Sequence, residues 1–117
     1  MNVFIVGAGP GDPELITVKG QKLLSEADVI IYAGSLVNPA LLDYAKAGCE
    51  IHNSASMTLP QVINVIEDSV KQGKMVVRLH TGDPSIYGAI QEQMDALDKL
   101  GIEYKVVPGV SSFLATA

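Results

Sequence analysis

Two glycine-rich segments hold the residues best placed to do chemistry: Gly7-Ala8-Gly9-Pro10-Gly11-Asp12 and Thr81-Gly82-Asp83-Pro84-Ser85-Ile86-Tyr87-Gly88. Glycine lets a backbone approach a ligand closely, so either segment could line a small-molecule site. The first invites a dinucleotide reading, but the G-x-G-x-x-G fingerprint would put its third glycine at Asp12. Pro10 removes an amide that could hold pyrophosphate, and Asp12 sets a negative charge where a phosphate would have to sit. The acidic residue expected to hold a ribose is missing too, because Tyr32 and Ala33 stand there. A tight turn capped by Asp12, with no ligand, remains the plainer alternative.

In the second segment, Asp83 has two equal readings. It can initiate the Asp83-Pro84 turn, or its carboxylate can bind hydroxyls or an ammonium group. Ser111 and Ser112 are more often helix caps than ligands, since serine is favoured at a helix start. His52 and His80 form no metal set, for there is no H-x-x-x-H and Cys49 has no further ligands nearby. No metal is expected. A G-x-S-x-G nucleophile elbow is also absent. Cys49 reads as a buried structural thiol, as suits a reducing cytoplasm.

These segments need elements to position them. Short apolar runs predict strands over 2–7, 28–32, 50–53, 75–80 and 103–107, and runs without alternation suit strands covered on both faces. Between them the patterns predict helices over 13–26, 39–47, 59–72 and 86–100. The third is clearest, with Leu59, Val62, Ile63, Ile66 and Val70 on one face. Asp12-Pro13, Asn38-Pro39 and the Thr58-x-x-Gln61 box mark helix starts, and Gly48, Gly73 and Gly101 mark stops. The expected fold is α/β: a five-stranded, mainly parallel sheet with helices on both faces. Ligands of such sheets bind outside the carboxyl ends of the strands, where the glycine-rich segments fall.

The chain of 117 residues, 48% apolar, suits a single domain with one core. A net charge of -5, with eight scattered Lys and Arg, offers no basic stripe for nucleic acid. The apolar start has no basic leader segment and is interrupted by Gly7 to Gly11, so it predicts a strand rather than a membrane span. Because the sequence stops at Ala117 just after a further helix begins, a second domain is expected beyond it.

The segments VGAGPGDPELIT (6–17), YAGSLV (32–37), GDPSIYG (82–88) and VPGVSS (107–112) together resemble the tetrapyrrole methylase family, in order and at its spacing. The resemblance implies a two-domain, dimeric methyltransferase that binds S-adenosylmethionine in a cleft between its domains, this chain being the first. Carried over by position, the cofactor contacts fall on Pro10, on Thr81, Gly82, Asp83 and Ile86, and on Ser111 and Ser112. The tetrapyrrole substrate would lie against Ala33, Gly34 and Ser35. Relatives acting on uroporphyrinogen carry Asp where Ala33 stands, so YAGSLV points to a branch that methylates a corrin (vitamin B12) precursor. With no carboxylate at that position, no catalytic base is assigned.

Overall fold

The computed structural model describes residues 2–7, 18–32, 39–80 and 87–107. The apolar runs form the strands β1 (Val3–Gly7), β2 (Val29–Tyr32), β3 (Glu50–Asn53), β4 (Val76–His80) and β5 (Lys105–Val107). They make one sheet in the order β3-β2-β4-β1-β5, and every pairing among them is parallel. Parallel strands need crossover connections, and the helices supply them. These are α1 (Val18–Glu26), α2 (Leu59–Lys71) and α3 (Tyr87–Lys99), with 3-10 helices at Pro39–Tyr44 and Ser54–Ser56.

Two apolar layers hold the sheet. Leu23, Leu24 and Ala27 after and within α1, with Leu41 of the first 3-10 helix, pack on Val6, Ile30, Val77, Leu79 and Val107. On the other face Val62, Ile63 and Ile66 of α2 and Leu97 of α3 pack on Val3, Val29, Ile31 and Val76. The faces follow from handedness: the connections after β1 and β2 move toward one edge of the sheet and those after β3 and β4 toward the other, so right-handed crossovers put their helices on opposite sides.

The helix boundaries have local causes. At the head of α2, Gln61 N donates to Thr58 Oγ1 at 3.3 Å and Thr58 N donates to Gln61 Oε1 at 2.9 Å, the expected capping box. At its end Lys74 N donates to the Ser69 carbonyl and Gly73 N to that of Val70. That closure needs a left-handed residue, and Gly73 has φ 74°. Gly101, at φ 71°, ends α3 in the same way, with Ile102 N bonded to the Leu97 carbonyl.

Two expectations are corrected. The α-helix expected over 39–47 is a 3-10 helix over Pro39–Tyr44. With six residues and one fully buried side chain, Leu41, it has too few i→i+4 bonds to repay nucleation, and Ala45 N closes on the Leu42 carbonyl instead. Cys49 is half-buried rather than buried, and the partial burial pushes its thiol above the usual range. The helix starts read at Asp12-Pro13 and Asn38 lie outside the described residues, as does the further helix expected near Ser111.

Candidate functional site

The strands end along one edge in the spatial order Asn53, Tyr32, His80, Gly7, Val107. Gly7 stands opposite His80 in the register of β1 and β4. From these adjacent strands the chain leaves to opposite faces, to α1 after β1 and to α3 after β4. This is the topological switch point of the sheet, the place at which open α/β sheets generally bind their ligands.

None of the residues that the resemblance assigns to the cofactor or substrate is among those described: Pro10, Ala33, Gly34, Ser35, Thr81, Gly82, Asp83, Ile86, Ser111 and Ser112 all lie outside them. The strands that lead to them are described. Pro10 follows β1, Thr81 to Ile86 follow β4, and Ser111 and Ser112 follow β5. Those three strands, though first, fourth and fifth in the chain, are neighbours in the sheet. Their ends span about 10 Å at the usual strand spacing, a width suited to one small molecule. Ala33 to Ser35 follow β2, which borders this trio on the β4 side.

The exit of β2 is held from two directions. Ser54 Oγ, at the start of the 3-10 helix after β3, donates to the Tyr32 carbonyl at 3.0 Å. Asn53 in turn caps that helix, its side chain accepting from Ala55 N at 2.9 Å. On the other side Arg78 of β4 donates from Nη1 to the Ile31 carbonyl at 3.2 Å and, more weakly, to that of Leu79 at 3.4 Å. Arg78 Nε donates to Gln93 Oε1 of α3 at 2.9 Å.

Both partners are buried, Arg78 and Gln93 each 8% exposed. Burial disfavours the charged form and pulls the Arg78 guanidinium down to about 10, which leaves it a cation at neutral pH. Neither residue of this pair was among the sequence-predicted site residues. The signal was present, because a guanidinium interrupts the apolar run Met75-Val76-Val77-Arg78-Leu79, and arginine is almost never buried without partners.

His80 is buried at the end of β4. Among the described residues no group of three His, Cys, Asp or Glu side chains could hold a metal, and no helix is long and apolar enough to cross a membrane. A shallow recess lined by Asp98, Gly101, Ile102, Glu103 and Tyr104 lies at the amino end of β5, away from the switch point.

Comparison with known proteins gives this edge a context. Residues 2–117 match the family model of Tetrapyrrole (Corrin/Porphyrin) Methylases. A cobalt-precorrin-4 C(11)-methyltransferase of Methanocaldococcus jannaschii is 67% identical over 116 residues, which are 98% of this chain and 45% of that protein. The solved structure of a cobalt precorrin-4 methyltransferase superposes with a TM-score of 0.90 at 52% identity, covering 98% of this chain and 48% of that one. A uroporphyrin-III C-methyltransferase of Thermus thermophilus, solved with S-adenosylhomocysteine, gives 0.77 at 37% identity over 99% of this chain and 48% of its own. The chain thus spans about half the length of the relatives it matches. A parallel sheet with its switch point between β1 and β4, together with a match that runs from residue 2 to residue 117, shows that the chain belongs to the tetrapyrrole methylase family.

Proposed function

We propose that this chain is the first domain of an S-adenosylmethionine-dependent methyltransferase of corrin synthesis, which methylates precorrin-4 or cobalt-precorrin-4 at ring carbon 11. The observation that carries the proposal is the adjacency of β4, β1 and β5, which puts the ends leading to Pro10, to Thr81–Ile86 and to Ser111–Ser112 side by side at the switch point. The similarity at 67% identity to a cobalt-precorrin-4 C(11)-methyltransferase favours this member of the family over its relatives, and Ala33 in YAGSLV agrees with it.

S-adenosylmethionine supplies a methyl group on a sulfonium, already a strong electrophile. What the protein must add is alignment with a nucleophilic ring carbon and exclusion of water. In this proposal Asp83, with Thr81, Gly82 and Ile86, holds the cofactor from the β4 loop, Pro10 packs on it, and Ser111 and Ser112 bond it from the β5 side. The donor set suits a ligand without phosphate, because Asp12 and Pro10 make the first loop a poor phosphate cradle. Ala33, Gly34 and Ser35 are small so that a flat, carboxylate-rich macrocycle can lie against them. A second domain completes the cleft, and the enzyme works as a cytoplasmic homodimer.

The test uses the complete native gene product. Calorimetric titration should show S-adenosylmethionine binding, and a 13C-labelled methyl group offered with precorrin-4 or cobalt-precorrin-4 should appear at carbon 11. Asp83→Ala should weaken cofactor binding by about 1.5–3 kcal/mol, the worth of a hydrogen bond to a charged group, with the melting transition intact. Absence of binding by the unmodified protein sinks the proposal, and label at another carbon moves the protein to another branch of the family. An unchanged affinity in the Asp83 variant returns that residue to turn formation.

A further inference from the structure

We propose that Arg78 and Gln93 form a positioning pair beneath the switch point, which ties the ends of β2 and β4 to α3 and so fixes the points from which residues 33–38 and 81–86 depart. The inference rests on the proposed function for the ligands that those residues would meet.

The arrangement is costly. Arg78 lies in the middle strand of the sheet, between β2 and β1, with its side chain on the face that carries α2 and α3. A guanidinium there loses its hydration, which a leucine or methionine of similar volume would not, and buried charges are weak devices for stability alone. What arginine offers and an apolar side chain lacks is direction: a rigid fork of donors that can reach several acceptors at once.

The fork is used across three elements. Nε reaches Gln93 of α3 and Nη1 reaches the Ile31 carbonyl of β2, while the side chain itself is rooted in β4. Arg78 stands two residues before the last residue of β4, and Gln93 six residues after the first of α3. The bond between them therefore ties together the two elements that flank residues 81–86. The Ile31 bond, one residue before the end of β2, adds the strand that leads to residues 33–38 to the same tie. Ser54 fixes the next carbonyl, that of Tyr32, so the β2 exit has little freedom left. Because arginine has donors only, Gln93 must turn its amide oxygen toward Nε. The acceptor is neutral, so the tie is directional without being a salt bridge.

A pair placed so should affect how well two ligands are brought together more than whether the domain folds. The native full-length protein with Gln93→Leu, which keeps the volume and removes the acceptor, is the test. Turnover of the tetrapyrrole substrate should fall about tenfold or more in kcat, as expected when reacting groups are misplaced. Cofactor affinity should weaken, and amide hydrogen exchange in 33–38 and 81–86 should quicken together with or without ligand. Gln93→Glu, which restores an acceptor, should recover kcat and exchange protection. If Gln93→Leu does not fold, Arg78→Lys carries the same test, since it keeps the charge but not the fork, and the same losses are expected. Unchanged kcat and exchange in the folded variant would overturn the inference while leaving the proposed function standing. So would losses that Gln93→Glu does not repair. A wild-type protein that binds no S-adenosylmethionine brings down the proposed function and the inference with it.

Discussion

Asp28 serves the edge of the sheet opposite the switch point. Its Oδ1 accepts from Lys46 Nζ at 2.6 Å and its Oδ2 from Met75 N at 2.9 Å, so one carboxylate spans the starts of β2 and β4 and the turn before β3. The Lys46 hydrogen bond, followed by the Met75 amide, holds the Asp28 carboxyl below the usual range. A carboxyl lowered on folding contributes stability that is present above the pKa of the unfolded chain and is lost as pH falls through the folded value. The melting temperature should therefore drop in acid, below about pH 4, and part of that drop should vanish in Asp28→Asn, which is less stable at neutral pH but less sensitive to acid. Parallel melting curves from neutral to acidic pH check this, and equal acid sensitivity would remove Asp28 from the account. The turn signals of Asp28 are silent in sequence, because its partners are 18 and 47 residues away.

At the level of elements, what was legible followed from local rules. The capping box at Thr58 and the glycine stops at Gly73 and Gly101 depend on a few neighbouring residues, and α2 and α3 match expectation to within a residue at each end. Thr58→Ala removes the acceptor for Gln61 N, so it should lower the unfolding free energy by about 1 kcal/mol, with Thr58→Ser close to the parent. Denaturant titration of the parent and both variants measures it, and a neutral Thr58→Ala would mean that water replaces the cap. The segment 39–47 was misread because its asparagine-proline start and apolar spacing suit either kind of helix, and only its short docking through Leu41 decides for 3-10 geometry. Of the candidate site, the strand ends that lead to it were legible, while the glycine, proline and small polar residues that follow them lie outside the described residues. Arg78 stood out only as a cation in an apolar run, and its pairing with Gln93 was not legible, because it depends on an approach between β4 and α3 that no local pattern states.

The strand order belongs to the whole molecule. Alternation of strand and helix implied parallel pairing, yet many orders obey that rule, and the order observed places β4 between β2 and β1. The two strands first in the chain therefore never touch directly. Among the described residues, the strand pairings that join the β1–β5 side to the β2–β3 side run through β4. During synthesis this makes the sheet a structure with a late keystone. As the chain leaves the ribosome, β1 waits unpaired while β2 and β3 can meet only each other, and a two-stranded pair is at best marginal. Chains arrested with residues 1–74 exposed should be cut readily by protease, whereas those exposing 1–107 should gain protection. Protection already present at the shorter length would mean that other contacts hold the early strands. Until β4 arrives, the apolar edges of β1 and β2 are open to any other strand, so the interval in which this chain is most exposed to misassembly is set by the rate of translation to residue 80.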